Sequence, residues 1–259
     1  MLMKIISWNV NSIRIRKHQL LELIKKENPD FVCLQEIKAS NDAFPISDFE
    51  KLNYFSYING MPSYNGVGIL SKYKADSTYS HVFCNKNDSR HIEVKYKGLR
   101  IHSVYVPAGG DIPDASVNKK FEHKLNFLGE MKKFFSKNDA HILAGDLNIA
   151  PYENDVWSHK QLKNVVSHTE IERAKLLDIL ESGNFIDTLK KLIPSSENLF
   201  TWWSYRSSDF RLNNRGRRLD HIWINKKSSL KLIKAKIIKE YRELQKPSDH
   251  VPVVLELSF

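Results

Sequence analysis

Short runs of apolar and β-branched residues recur along the chain, separated by longer stretches in which apolar residues fall at helical spacing. Residues 4–8 (KIISW), 31–35 (FVCLQ), 66–71 (GVGILS), 99–106 (LRIHSVYV), 140–144 (AHILA), 218–225 (RLDHIWIN) and 251–257 (VPVVLEL) read as strands. Residues 16–28 carry Leu20, Leu21, Leu23 and Ile24, and residues 116–136 carry Phe121, Leu125, Leu128, Phe134 and Phe135 near helical periodicity. Ser116 is the expected cap of the second helix, and a third is expected within 169–183, stopped by Gly183. Alternating strands and helices predict an α/β fold with helices covering sheet faces. So many strands fit two packed sheets better than one very wide sheet. No fixed-period repeat, low-complexity tract or linker interrupts the pattern, so one domain over residues 1–259 is expected.

Several strands end in polar groups. The first ends in Trp8-Asn9-Val10-Asn11 and the second in Gln35-Glu36. The strand at 140–144 runs out through Gly145-Asp146-Leu147-Asn148, Asp220 lies within RLDHIWIN, and Ser248-Asp249-His250 precedes the last strand. Taken singly, an Asp or Asn after a strand is a turn former, and one His is a hydrogen-bonded structural residue. Their joint appearance points to function, because α/β folds collect functional groups at one end of their strands. Asn9, Glu36, Asp146, Asn148 and Asp249 are hard oxygen donors with no thiolate among them, a set that suits Mg²⁺, or Mn²⁺ in its place, far better than zinc. Such an ion can polarise a phosphoryl oxygen, stabilise a leaving oxyanion and orient water, the needs of phosphodiester hydrolysis. In that scheme Asp146 accepts the water proton, Asn148 orients the water, and Asp220 pairs with His250 to keep a cationic imidazole beside the phosphate. No GxSxG, HExxH or GxxxxGK[ST] occurs, which argues against a serine hydrolase, a zincin and a P-loop nucleotidase.

With 40 Lys and Arg against 30 Asp and Glu, the 259-residue chain has a formal net charge of +10. Hydrophobic residues at 41% and aromatics at 11% can bury a substantial core, which excludes a disordered chain. Cys33 and Cys84 make neither a disulfide framework nor a CxxC pair, so a reducing compartment and no structural zinc are expected. No stretch approaches the roughly 20 apolar residues of a membrane span, and the start MLMKIISWNVNS turns polar after a few apolar residues. A soluble, cytoplasmic protein is the expectation. Arg211 to Lys246 holds twelve basic residues against three acidic ones, nearly the whole net charge. A charge run is commonly a solvated face. Here aromatic residues in TWWSYRSSDFRLNNRGRR (201–218) precede it and mix with it, and a polyanionic partner is favoured.

In order along the chain, SWNVNSIR (7–14), PDFVCLQEIK (29–38), YNGVGIL (64–70), VYVP (104–107), AGDLNIAP (144–151), FTWWSYR (200–206), RLDHIW (218–223) and KPSDHVPV (246–253) resemble the exonuclease III type of apurinic/apyrimidinic endonuclease, in the DNase I-like endonuclease/exonuclease/phosphatase superfamily. The resemblance implies a four-layer α/β sandwich: two packed mixed β-sheets flanked by helices, with the site where loops from both sheets converge. It implies Glu36 as principal metal ligand with Asn9 and Asn11 beside it, and Asp249 as a second metal-side carboxylate. Asp146, Asn148 and His250 also border the metal. Tyr105 is the phosphate-contacting phenol, and either it or Asp146 carries the proton, with one or two metal ions. Asn11, Trp202, Arg206, Arg215 and Arg217 are expected against DNA. Two positions depart from the family pattern. Ala108 stands where an Asn or Gln contacts the DNA backbone, and Arg217 replaces a bulky apolar residue that helps wall the pocket for the base-free sugar.

The implied activity is Mg²⁺-dependent hydrolysis of the phosphodiester 5′ to an abasic site, leaving a 3′-hydroxyl, with 3′→5′ exonuclease and 3′-phosphatase activity beside it. The expected partner is duplex DNA with abasic sites or blocked 3′ ends, bound by a monomer. A cousin acting on inositol phosphates or sphingomyelin shares the QE, GDLN and SDH elements, but TWW and RLDHIW favour DNA. A binding module without catalysis has no reason to keep an acidic cluster that repels phosphate.

Overall fold

Side chains on a strand alternate between two faces, and in the first strand, β1 (Leu2–Asn9), both faces are buried. Met3 and Ile5 enter one core, Ile6 and Trp8 another. The computed structural model describes residues 2–136, 139–206 and 209–258. The further strands are β2 (Phe31–Gln35), β3 (Phe55–Asn59), β4 (Val67–Ser71), β5 (Ser77–Tyr79), β6 (His91–Tyr96), β7 (Leu99–Tyr105), β8 (His141–Asp146), β9 (Phe185–Asp187), β10 (Asp220–Asn225), β11 (Lys231–Ile237) and β12 (Val253–Ser258). The helices are α1 (Ile13–Glu27), α2 (Ile46–Glu50), α3 (Lys119–Phe135), α4 (His159–Leu162), α5 (Glu170–Ser182), α6 (Thr188–Leu192) and α7 (Phe210–Asn213). Among the described residues the strands form two six-stranded mixed sheets, ordered β11-β12-β1-β2-β4-β3 and β5-β6-β7-β8-β10-β9.

The inner faces of the two sheets pack together through Ile5, Cys33, Ile69, Ile101, Ile142, Ile222 and Leu255. The outer face of the first sheet packs on Leu20, Leu23 and Ile24 of α1, that of the second on Phe127, Leu128 and Met131 of α3 and Leu176 and Ile179 of α5. This is the expected four-layer sandwich. Helix α5 starts with a capping box, Thr169 with Glu172, and stops at Gly183. The cap of α3 is Asn118, whose side chain accepts from the Lys120 N–H at 3.0 Å, and not the expected Ser116, which lies outside the helix. Among the described residues no helix is long and apolar enough to cross a membrane.

Against α3, a line of buried histidines crosses the outer face of the second sheet. The His81 backbone N–H donates to His91 Nδ1 at 2.9 Å, so that nitrogen is an acceptor and His91 carries its proton on Nε2. His91 Nε2 then donates to His102 Nδ1 at 3.0 Å, and His102 Nε2 to His141 Nδ1 at 2.9 Å. A single backbone donor thus sets the tautomer of three neutral rings. Burial is the main cause that lowers all three: His91 to about 3, His141 to about 4, and His102 well below its ordinary value. Histidines neutral in the fold but protonated in the unfolded chain favour unfolding as pH falls through the ordinary histidine range toward those lowered values. Urea titrations between about pH 7 and pH 4 should therefore show stability falling, with up to three protons taken up on unfolding by these rings. A pH-independent unfolding free energy would contradict the neutral assignment.

Candidate active site

Strand parity builds the site. On β8, Ile142 and Ala144 face between the sheets, so Asp146 does too; on β7, Ile101 does and so does Tyr105; on β10, Ile222 and Ile224 do and so does Asp220. Register aligns them, since Asp146 pairs with Tyr105 of parallel β7 and with Asp220 of antiparallel β10. Their close alignment depends on Gly145, where a Cβ would lie 2.0 Å from the Val104 carbonyl oxygen. On the opposite sheet Asn9 shares the parity of Met3 and Ile5 and ends β1, level with Gln35 of β2. Glu36 then turns into the left-handed region at φ 48°, as do Asn11 at 43° and Asn148 at 52°. Ser248 Oγ donates to the Asn9 carbonyl at 2.7 Å and Trp8 Nε1 to the His250 carbonyl at 3.1 Å, which seats the loop before β12 against the end of β1. Arg16 holds the same junction from α1, donating to the carbonyls of Asn11, Lys246 and Pro247.

The side chains meet at bonding distance. His250 Nδ1 lies 2.8 Å from Asp220 Oδ2, and its Nε2 lies 3.5 Å from Asp146 Oδ2. Asn9 Oδ1 accepts from the Asn11 N–H at 3.0 Å, which turns Nδ2 toward Asp146 Oδ2 at 2.8 Å and Glu36 Oε1 at 3.0 Å. Tyr105 OH donates to Glu36 Oε1 at 2.8 Å, and Lys38 Nζ sits 2.8 Å from Glu36 Oε2. The Asn148 N–H donates to Asp146 Oδ1 at 2.9 Å, and Asn148 Nδ2 to Asp146 Oδ2 at 3.2 Å and the Val106 carbonyl at 2.9 Å. Asp249 accepts from Asn11 Nδ2 and Trp202 Nε1, both at 2.9 Å.

Electrostatics separate the roles. Burial raises the Asp146 carboxyl, assisted by the charges of Asp220 and Glu36 and opposed by His250 and Asn9. Burial opposes charge on His250 as well, but Asp220 and Asp146 outweigh it and push the imidazole up to about 10. Glu36 is held below the usual carboxylate range: burial raises it, and Lys38, Asn9 and Tyr105 together overcome that. Burial, then the Glu36 and Asp146 charges, keep the Tyr105 phenol protonated well past its ordinary range.

Two acidic groupings bear on a cation. Asp146, Asp220 and His250 have ligand atoms within 4.8 Å of one another. Both imidazole nitrogens there face carboxylates and the ring is cationic, so a proton already serves that cluster. Glu36 is different, a partly exposed, ionised carboxylate whose Oε2 holds the Lys38 ammonium. A hard divalent cation fits this donor set.

The sequence-derived DNA residues divide. Asn11 accepts from Lys38 Nζ on Oδ1 at 2.6 Å and lies within the site, and half-buried Trp202 reaches it through Asp249. Arg217 lies 5.3 Å over the Trp202 ring and donates to Ser167 Oγ at 2.7 Å. Arg215 is exposed, 4.7 Å over the Trp157 ring, and the backbone N–H of exposed Arg206 donates to Ser204 Oγ at 3.2 Å. Among the described residues, neither bonds to a site side chain. Trp203 is buried in the core. The basic stretch is not one outward face: Arg218 is buried between Asp155 and Asp187, Arg242 is buried, Arg211 pairs with Glu243 at 3.2 Å, and Lys236 with Glu27 at 2.8 Å. Sequence reasoning missed Lys38, whose only signal is its place two residues after Glu36, and Arg90, whose guanidinium stacks 4.8 Å over Tyr105 with no signal at all.

An ionised carboxylate fit for a hard cation, a buried Asp–Asn pair and an imidazolium held by Asp220 are the parts of a phosphoesterase, set between two sheets of a four-layer sandwich. The chain belongs to the endonuclease/exonuclease/phosphatase family, which it matches over residues 6–250. Exodeoxyribonuclease III of Haemophilus influenzae is 30% identical over 98% of this chain and 99% of its own length, and an exodeoxyribonuclease of Bacillus subtilis is 29% identical over 98% of each. An AP endonuclease from Archaeoglobus fulgidus is similar in structure at a TM-score of 0.90 and 32% identity, covering 98% of each chain. A Neisseria 3′ phosphatase bound to a product DNA hairpin is similar at 0.91 and 27% identity, covering 99% of this chain and 100% of that one.

Proposed function

We propose that the chain is a metal-dependent DNA-repair nuclease that hydrolyses the phosphodiester 5′ to an abasic site in duplex DNA, with 3′→5′ exonuclease and 3′-phosphatase activity at the same site. The observation that carries this is the row Tyr105–Asp146–Asp220 closing on Glu36 and His250, in a chain similar over 98% of its length to exodeoxyribonuclease III and AP endonuclease.

Asp146, made more basic by burial, takes a proton from water that Asn148 orients, and that oxygen attacks phosphorus. The bond from phosphorus to the upstream 3′ oxygen breaks, and Tyr105, kept protonated, is the O–H donor for that oxygen, which leaves as a 3′-hydroxyl. His250, held cationic by Asp220, faces the charge that builds on the phosphoryl oxygens. Of the two roles open to His250 this one is favoured, because an imidazolium has no lone pair for a metal. Glu36 would be the principal metal ligand, with Asp249 as a second carboxylate and Asp146 and Asn148 bordering the ion. Asn9, expected beside the metal, instead turns Nδ2 to Glu36 Oε1 and braces that carboxylate. Bound Mg²⁺, or Mn²⁺ in its place, would supply Lewis-acid stabilisation of the phosphate charge. An abasic sugar is selected because extruding it from the stack costs least. Arg217, over Trp202, makes the wall beside that sugar cationic. The protein acts as a monomer in a reducing, cytoplasmic setting, in keeping with its unpaired Cys33 and Cys84.

The test is an end-labelled duplex with one tetrahydrofuran abasic analogue, beside an undamaged duplex with a recessed 3′ end. Incision at the analogue is expected with Mg²⁺ or Mn²⁺, and its loss on chelation with EDTA. Failure to cut either duplex in any divalent metal would refute the reading.

A further inference from the structure

Lys124, in the second turn of α3, has no exposure, and neither has its partner Glu172 in the first turn of α5, 2.5 Å away. An ammonium has three donors and no acceptor, and each of these three has a partner. Besides Glu172, Lys124 Nζ donates to the Asn148 carbonyl at 2.9 Å and to the Ala108 carbonyl at 3.2 Å. Glu172 is itself saturated, accepting from the Ser167 N–H at 2.9 Å, the Thr169 N–H at 3.1 Å and Thr169 Oγ1 at 2.6 Å. Burying such a pair is costly, and packed apolar residues commonly hold a core as well. Helix packing therefore does not account for the ammonium; the two carbonyls it grips do.

Ala108 lies three residues beyond Tyr105, and Asn148 two beyond Asp146, so the ammonium ties together the loops leaving the catalytic ends of β7 and β8. Asn148 is held left-handed, and its Nδ2 meets Asp146 only while that backbone stays put. The stem of Lys124 fills the space under Gly109, where a Cβ would lie 2.9 Å from Lys124 Cδ, and seats the Ala108 loop from below. We infer that Lys124 is a positioning residue for the water-activating pair, fixing Asn148 and the loop after Tyr105 through their backbone carbonyls. The inference rests on the function proposed above.

Lys124→Met keeps the stem and removes the ammonium. In incision of the tetrahydrofuran duplex with Mg²⁺, kcat should fall about 100-fold while KM stays within about threefold. The pH–rate profile should keep its shape, because Lys124 transfers no proton. Lys124→Arg, with its donors restored, should recover at least about a tenth of wild-type kcat. A Lys124→Met enzyme with kcat within about threefold of wild type, or one whose loss lies in KM, overturns the role. Should Lys124→Met not fold at the assay temperature, Lys124→Gln, with one amide for two carbonyls, replaces it: a loss of about tenfold in kcat against Lys124→Arg supports the tie, and equality overturns it. Wild-type protein is assayed alongside; its inactivity would overturn the proposed function, whereas active wild type beside an equally active Lys124→Met overturns only the role of Lys124.

Discussion

Asp146→Asn is expected to lower turnover on an abasic duplex by about 10³- to 10⁴-fold, with duplex affinity within about threefold of wild type. The substitution preserves volume, and the amide oxygen can still accept the Asn148 N–H that now bonds Oδ1. What it cannot preserve is Oδ2, which accepts from Asn9 Nδ2 at 2.8 Å and Asn148 Nδ2 at 3.2 Å and faces His250 Nε2 at 3.5 Å. An amide nitrogen there would confront three donors and could take no proton from water. Asp146 is only 1% exposed, so the change removes little that DNA touches. Single-turnover incision in Mg²⁺ and fluorescence anisotropy in EDTA separate the two quantities. Incision within about tenfold of wild type would move the base role elsewhere, and the same measurement on Tyr105→Phe decides whether the phenol carries a proton. His250→Ala should resemble Asp146→Asn in turnover, because it removes the imidazolium that bridges Asp146 and Asp220.

The strands legible in the sequence are those in sheet interiors, where both faces are buried and apolar runs are nearly continuous. All four edge strands, β3, β5, β9 and β11, escaped the reading. In KLIKAKI and STY the residues are largely exposed or half-buried, so neither a continuous apolar run nor clean alternation forms. Strand β6 was missed for another reason: its buried positions include His91 and Glu93, polar residues that bond to the histidine line and to Arg100. At the site, the polar strand ends named from the sequence come together because strand parity directs them inward, and parity can be read from a sequence. Distance between sheets cannot, so the contacts across them, Asn9 to Asp146 and Tyr105 to Glu36, needed coordinates. The same limit explains the basic stretch. Charge along the chain does not reveal that Arg218 and Arg242 turn inward.

Arg218→Met should be the most destabilising single change in this region, about 3–5 kcal/mol, which for a chain of this size lowers the melting temperature by about 10 °C. Arg218 is fully buried and meets Asp155 through Nε and Nη2 at 2.9 and 2.8 Å, and both oxygens of Asp187 through Nη1 at 2.9 and 2.8 Å. Removing the guanidinium leaves two carboxylates in the interior without their cation, one bracing the turn after Tyr152 and the other capping α6. The cost belongs to those stranded charges more than to the lost bonds. Adding Asp155→Asn and Asp187→Asn to Arg218→Met should therefore recover part of the lost stability, although each substitution removes a further carboxylate contact. A triple variant less stable than Arg218→Met would show that the bonds themselves dominate. Asp220 lies two residues along the chain, so the same network fixes the start of β10 and with it the partner of His250. Activity of Arg218→Met should thus fall even in the folded fraction below the melting transition, whereas Asp146→Asn should lose far more activity for a smaller fall in melting temperature. That contrast separates a residue that holds the site in place from one that performs its chemistry.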